Sequence, residues 1–382
     1  MPHVVDLRHS TSFIEVAAEA CAALRRGDLV GFPSETRYLV AGAASNPKAA
    51  ENLVQSAARH GTDMAVLLLP HLDALQDFTS NLPVAVERLL SRCWPGPVVL
   101  RLGDAASGAF ADLAPATQAL LRRSQVPVCV PAHPFLRRIT EQYEEPIVAT
   151  VSSLPSGKTW RDSDGLEVAR IHASEVELVV DAGPPRHPQG PTVVDLAATT
   201  ETGWNLIQEG VVAETMLNRL SSVMVLFVCT GNTCRSPMAE GLFRRILAER
   251  LGCPPDEIAQ QGYLVLSAGV SAVTGMPAAP EAIRLLEGEQ VDLRDHSSQP
   301  VTDDLLAQAD HVLAMTAGHL DTLYNDFPVH REKMRMLSPG RDISDPIGRG
   351  WPVYQECGAE IRQALEVFLD DLLQGKKKAS SK

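Results

Sequence analysis

The sequence predicts two α/β units in tandem: a twisted mixed-sheet domain, then a doubly wound, mostly parallel sheet. Three observations carry this expectation. Short β-branched runs alternate with stretches of helical spacing along nearly the whole chain, the pattern of an α/β architecture. At 382 residues there is enough chain to bury two cores. The alternation breaks near residues 215–222, after a Gly- and Pro-rich stretch at 182–191 and a short run at 192–196, then restarts with an apolar run at 223–228. The expected units are residues 1–215 and 222–375, with a basic Lys/Ser tail at 376–382 whose composition predicts disorder.

In the first unit, residues 11–26 put Phe13, Val16, Ala17, Ala20 and Leu24 on one helical face and stop at Gly27. A strand at 29–32 is closed by Pro33. Residues 48–59 follow as a helix, 64–69 as a strand, 83–93 as a helix and 98–102 as a strand, with prolines at strand ends. The second unit reads as strand 223–228, helix 238–251, strand 265–268, helix 280–287, strand 311–315 and helix 353–373. Doubly wound sheets bind ligands at the carboxyl ends of their strands.

Composition narrows the function classes. The chain is 45% hydrophobic and 21% charged, with a formal net charge of −13, which argues against a general nucleic-acid or membrane-surface binder. No run approaches the roughly 18–20 apolar residues of a membrane span. Asp6, Arg8 and His9 leave the first ten residues without a signal-peptide apolar region, so the expected location is cytoplasmic. Seven cysteines without zinc-type pairing suit free thiols in a reducing compartment.

The chemistry concentrates in residues 228–237, V-C-T-G-N-T-C-R-S-P, where five residues separate Cys229 from Arg235. A strand, a tight loop and a helix N-terminus together make an anion cradle, because loop N–H groups and the positive helix end point at one spot. Phosphate esters or phosphoramidates are its natural occupants. A nucleophilic cysteine works as a thiolate, the form favoured by helix N-termini and nearby cations. Arg235 brings a planar fork able to grip two phosphate oxygens. Gly231 is expected to turn successive N–H groups inward, Asn232 to bond the loop to itself, and Ser236 to donate to the Cys229 sulfur. Expelling an alcohol or amine also needs a proton donor. Residues 344–350, S-D-P-I-G-R-G, offer Asp345 on a loop shaped by Pro346. Cys234 either forms a protective disulfide with Cys229 or packs as a thiol.

Residues 223–373 resemble the low-molecular-weight protein-tyrosine phosphatase family. The matching stretches are V-C-T-G-N-T-C-R-S-P-M-A-E at 228–240, S-A-G at 267–269, D-H-S-S at 295–298, V-L-A-M-T at 312–316 and D-P-I-G at 345–348. The resemblance implies Cys229 as nucleophile, Arg235 as phosphate clamp and Asp345 as acid. It makes Thr230, Gly231, Asn232, Thr233, Cys234 and Ser236 the phosphate loop, with His296 supporting its shape. Turnover would pass through a phosphocysteine on a phosphorylated protein substrate, with no cofactor and no metal. Members acting on phosphotyrosine carry a bulky aliphatic residue where Thr233 stands, and aromatic residues beside the acid loop. Thr233, with Ile347 after Asp345-Pro346, is similar to bacterial protein-arginine phosphatases, so phosphotyrosine and phosphoarginine are both expected substrates. The related arsenate reductases need two further cysteines on a segment where residues 290–330 hold none.

The first unit resembles the threonylcarbamoyl-AMP synthases of YrdC-like fold. V-G-F-P-S-E-T-R-Y at 30–38, C-W-P-G-P-V-V-L at 93–100, V-P-A-H-P at 130–134 and T-V-V-D-L at 192–196 carry the match. It implies a twisted α/β domain with a concave groove for nucleotide or RNA. Thr36, Tyr38 and Arg59 remain as candidate ligand contacts. The family's phosphate-gripping lysine is missing near Ala57, its later arginine is Cys129, and its S-A-N motif is replaced by residues 151–157. The favoured expectation is a degenerate binding domain. The alternative is a bifunctional L-threonylcarbamoyladenylate synthase and phosphatase serving tRNA modification, which would use ATP and Mg.

Overall fold

The computed structural model describes all residues except 1, 10–11, 63, 81, 155–157, 160, 162, 198–201 and 380–382. Thr11 of the expected first helix, the end of the 151–157 stretch and the last three tail residues therefore lie outside it. The chain forms two compact units, residues 1–220 and 221–382.

The first unit begins β1 (His3–Asp6), α1 (Phe13–Arg25), β2 (Leu29–Pro33), β3 (Tyr38–Ala43), α2 (Pro47–His60), β4 (Ala65–Leu68) and α3 (Val84–Cys93). It continues β5 (Val98–Arg101), α4 (Pro115–Arg123), β6 (Pro127–Cys129), α5 (Pro134–Gln142) and β7 (Ile147–Val151). The last elements are α6 (Gly165–Ile171), β8 (Val176–Asp181), β9 (Thr192–Leu196), β10 (Trp204–Gln208) and α7 (Glu214–Ser221). The strands form one mixed sheet in the order β1-β8-β2-β3-β7-β4-β6-β5-β9-β10. Alternation along β3 sends Tyr38 and Val40 to one core and Leu39, Ala41 and Ala43 to the other, as a sheet covered on both faces requires. Ser12 caps α1 by accepting the Glu15 amide, and Asn46 caps α2 by accepting that of Ala49.

The second unit runs β11 (Val223–Cys229), α8 (Arg235–Leu251), β12 (Tyr263–Gly269), α9 (Pro280–Glu287), α10 (Asp303–Gln308), β13 (His311–Ala314), α11 (Ala317–Asp326), β14 (Met334–Met336) and α12 (Trp351–Ala379). Its sheet has the order β12-β11-β13-β14, and every pairing is parallel. Connections leave β11 and β13 in opposite directions, which opens a crevice at their carboxyl ends. Val225 and Phe227 of β11 face a core shared with α8 and α12, while Met224, Leu226 and Val228 face the other. α12 continues through Ala379, where composition alone suggests an unstructured tail. Adding residues to an existing helix costs far less than nucleating one. Among the described residues, no helix is long and apolar enough to cross a membrane.

Phe243 on α8 sits between Phe227 (5.5 Å between ring centroids) and Phe368 (5.3 Å), fully buried. Replacing it with alanine should destabilise the second unit by about 3–5 kcal/mol. Urea unfolding of the full chain, followed by fluorescence and circular dichroism, would show this as a lowered midpoint for one transition.

Candidate active site

β11 ends at Cys229 and α8 begins at Arg235, so the five residues between them must reverse direction within one short loop. Asn232 makes that reversal. It adopts φ +56°, a left-handed conformation asparagine tolerates because its side chain bonds locally. Gly231 itself is not in the positive-φ region. A side chain at Gly231 would meet only Thr233 Oγ1, at 3.6 Å. Glycine is needed instead at Gly269, the end of β12, where a Cβ would lie 2.4 Å from the Thr230 carbonyl oxygen and 2.9 Å from the Asn232 nitrogen. The loop therefore rests directly on the neighbouring strand. Val270 and Ser271 N–H groups donate to the Cys229 and Thr230 carbonyls at 2.9 Å each.

The buried Asn232 side chain holds this arrangement. Its amide donates to Ser236 Oγ at 3.0 Å and Ser267 Oγ at 2.9 Å, and its Oδ1 accepts the Gln299 amide at 2.9 Å. Ser267 passes its own proton to Glu240 at 2.6 Å. His296 Nε2 lies 2.7 Å from the Asn232 carbonyl. Between these anchors the Asn232 N–H donates to Cys229 Sγ, 3.3 Å away. Ser236 Oγ is 3.0 Å from the same sulfur. Asn232 donates to Ser236, whose own hydroxyl lies within reach of both the sulfur and the Ala268 carbonyl, 3.2 Å away; a thiolate is the stronger acceptor.

Arg235 and Asp345 meet at the rim of the cradle. The guanidinium Nη2 donates to Asp345 Oδ2 at 2.8 Å, with the arginine side chain 7% and the aspartate 45% exposed. Asp345 Oδ1 also accepts the Ile347 amide at 3.2 Å, which fixes the acid loop's turn. Thr233 is half-buried, its Oγ1 3.7 Å from Cys234 Sγ, and Cys234 Sγ lies 3.4 Å from the Tyr354 hydroxyl. All seven cysteines are free.

The structure adds contacts the sequence did not single out. Thr230 Oγ1 is 2.8 Å from His319 Nε2, and His319 Nδ1 is 2.9 Å from Thr316 Oγ1. Ser267 and Thr316 stand inside the matched S-A-G and V-L-A-M-T stretches, which was their only signal. His319 had none, because its role depends on α11 folding back from β13.

In the first unit the three candidate contacts separate. Thr36 is buried and lines a cavity with Glu35, Arg37, Cys129 and apolar walls from Leu39 and Val66. Tyr38 is fully buried, its hydroxyl 2.9 Å from both Asp181 Oδ1 and the Gly183 carbonyl. Arg59 lies elsewhere and pairs with Glu175 at 2.9 Å.

Comparison with known proteins fits this geometry. Residues 224–379 match the family model described as low molecular weight phosphotyrosine protein phosphatase. A protein-arginine-phosphatase of Bacillus subtilis is 38% identical over 154 residues, 39% of this chain and 95% of the relative. The chain belongs to the low-molecular-weight phosphotyrosine protein phosphatase family. An arsenate reductase of Staphylococcus aureus is 32% identical over 144 residues, covering 38% of this chain and 94% of its own length. The solved structure of a low molecular weight protein tyrosine phosphatase from T. tengcongensis is 35% identical, covering 39% of this chain and 99% of its own, with a TM-score of 0.36. Residues 22–210 match the Sua5/YciO/YrdC family model, described as telomere recombination. The molecule is thus a phosphatase unit preceded by a YrdC-like unit.

Burial, with Arg235 nearby, pushes His319 of the phosphatase unit down to about 4 from its ordinary 6.5. The unfolded chain takes up the proton first. The neutral histidine's stabilisation is therefore complete above pH 6.5 and lost as pH falls towards 4. Urea midpoints measured across that window should decline with acidity, and decline less steeply in His319→Gln.

Proposed function

We propose that the phosphatase unit dephosphorylates proteins through a Cys229 phosphocysteine, with phosphoarginine as its preferred substrate. The observation that carries the mechanism is the convergence of the Asn232 N–H and the Ser236 hydroxyl on the Cys229 sulfur, beside the Arg235–Asp345 pair. Arg235 exchanges its carboxylate partner for two oxygens of the incoming phosphoryl group, and Asp345 is released towards the leaving group. The Cys229 thiolate attacks phosphorus. As the S–P bond forms, the P–N or P–O bond breaks and Asp345 gives its proton to the departing nitrogen or oxygen. Asp345 then takes a proton from water, whose oxygen displaces the sulfur and releases inorganic phosphate. Arg235 and the loop amides stabilise charge on the equatorial oxygens in both steps.

Three features support phosphoarginine. Thr233 presents a hydroxyl where an aliphatic residue would favour a phenyl ring. The residue after Asp345-Pro346 is the exposed Ile347, and Trp351 at the start of α12 is occupied by Arg284, 4.2 Å above its ring. Asp345 suits a guanidinium, whose N–H groups it can accept. The arginine phosphatase of B. subtilis covered above is consistent with this reading. Arsenate reduction is not favoured, because residues 290–330 contain no cysteine and Cys357 is fully buried in α12. Seven free cysteines fit a cytoplasmic protein.

For the first unit we favour a nucleotide- or RNA-binding role without synthase chemistry. Its cavity does not fit ATP with magnesium. Arg37 is the one guanidinium among the lining residues, and the Glu35 carboxylate already accepts the Ala132 and His133 amides at 3.3 and 3.2 Å. Leaving pyrophosphate would need more positive charge than this.

Two measurements test these assignments. Cys229→Ser should abolish turnover of all phosphopeptides. In the wild type, kcat/KM should favour phosphoarginine over phosphotyrosine, and Thr233→Ile should reduce or reverse that preference by about tenfold or more, the scale of a single pocket contact. A wild-type preference for phosphotyrosine left unchanged by the substitution refutes the substrate assignment. Separately, Cys229→Ser protein given ATP, threonine and bicarbonate should release no pyrophosphate above background; steady release would establish the bifunctional alternative.

A further inference from the structure

α2 of the first unit ends at His60, and the turn between α6 and β8 carries His172 and Glu175. Their donor atoms converge. Glu175 Oε2 lies 3.1 Å from His60 Nε2 and 2.9 Å from His172 Nδ1, and the ligand atoms of the three residues all fall within 4.8 Å of one another. The site is sheltered: the side chains of His172, Glu175 and His60 are 3%, 8% and 19% exposed.

Neighbouring groups hold each of these ligand atoms in place. Ser152 Oγ is 3.0 Å from His172 Nε2 and directs its own hydroxyl to the Ser153 carbonyl at 3.3 Å. His172 thus has a partner at each ring nitrogen, with Nδ1 facing the Glu175 carboxylate. Ser56 gives its proton to Glu175 Oε2 at 2.5 Å, so it has none for His172 Nδ1, 3.3 Å away. Arg59 holds the other carboxylate oxygen, Oε1, at 2.9 Å and keeps Oε2 pointed inward. With their ring protons displaced, the two imidazoles and the carboxylate turn three lone pairs to one point.

We propose that His60 Nε2, His172 Nδ1 and Glu175 Oε2 bind a divalent metal ion of the zinc type. Two imidazoles and a carboxylate are a ligand set that zinc accepts, leaving a fourth position open. Metal–ligand bonds of about 2.0–2.1 Å in a tetrahedron hold ligand atoms roughly 3.3 Å apart. The His–Glu separations here need only small adjustment to reach that spacing. The Ser152 contact on Nε2 fixes the histidine tautomer, as the outer partners of metal-bound histidines commonly do. His60 is the exposed edge by which the ion enters. Once bound, the ion ties the end of α2 to the α6–β8 turn. The proposal goes beyond the phosphatase reading and does not depend on it.

The test uses full-length protein stripped by a chelator and then titrated with Co²⁺ and Zn²⁺, followed by calorimetry, visible spectroscopy and thermal melting. The expected result is one equivalent of Co²⁺ with ligand-field bands of four- or five-coordination and no thiolate charge-transfer band. Zn²⁺ should displace it, and binding should raise Tm. His60→Ala and Glu175→Gln should each weaken binding more than about 100-fold, beyond the range seen on losing an outer partner. His60→Ala should keep the wild-type circular dichroism and both urea transitions of the metal-free protein, showing that the first unit still folds, and Cys229→Ser should bind metal as the wild type does. No stoichiometric binding in the wild type, meaning that a proton alone joins His172 to Glu175, overturns the proposal. So does equal binding in His60→Ala and Glu175→Gln.

Discussion

The phosphatase unit depends on how one buried asparagine is satisfied. Asn232 sits at φ +56° with no solvent exposure, and its side-chain amide meets Ser236, Ser267 and the Gln299 backbone. An unmade bond at such a position would cost about 1–3 kcal/mol in desolvation, so the contacts are mutually enforcing. Their product is orientation. Once the carbonyl is held by His296 and the side chain is anchored to β12, the Asn232 N–H can point only at Cys229. A flexible loop of the same composition would carry the same nucleophile without the aimed donors, and donors in place before reaction need no reorganisation during it.

That preorganisation explains how an acidic chain can hold an anion. With a net charge of −13, the long-range field repels phosphate. Solvent charges are screened over about 8 Å at physiological ionic strength, whereas the loop amides, the start of α8 and Arg235 act at contact distance in a partly dry site. Local geometry therefore outweighs total charge. Neighbouring groups add to it: Thr230 lies against His319, which burial and Arg235 keep neutral, so no second fixed cation competes for the phosphoryl oxygens. The Arg235–Asp345 contact gives both groups a partner whose exchange is cheap, because Asp345 is half-exposed and can return to water.

What the sequence made legible follows from how local each feature is. Cys229, Arg235, Ser236 and their loop are contiguous, and the strand before and helix after are each long enough for periodicity to show. The parallel sheet followed from that alternation. β14 (Met334–Met336) and α10 (Asp303–Gln308) escaped notice because three and six residues carry too little pattern. In the first unit, β3, β6, β7 and β8 also went unread. β3, Y-L-V-A-G-A, is buried on both faces, so it shows no polar alternation to mark it as a strand. Asn232 was identified as a loop-binding residue, but its left-handed backbone was not legible, since only the contacts with Ser267 and Gln299 show how an asparagine is held there. His319 and the His60–His172–Glu175 group were invisible for a different reason. Each depends on elements distant in sequence meeting in space.

The two units show the same physics with opposite outcomes. Buried polar groups must be satisfied, and the partner that satisfies them decides whether a surface can do chemistry. In the phosphatase unit, the outer ring of Ser267, Glu240, His296 and Gln299 takes up the supporting bonds and leaves the Asn232 N–H directed at the sulfur. In the YrdC-like unit the polar groups near the candidate contacts are taken up by partners within the fold. Tyr38 is closed on Asp181 and Gly183, Arg59 on Glu175, and Glu35 on the backbone beyond β6. Those bonds stabilise the large mixed sheet but leave few polar atoms facing its cavity. The same rule of satisfaction thus builds an aimed donor beside Cys229 in one unit and a closed polar network around Glu175 and Asp181 in the other.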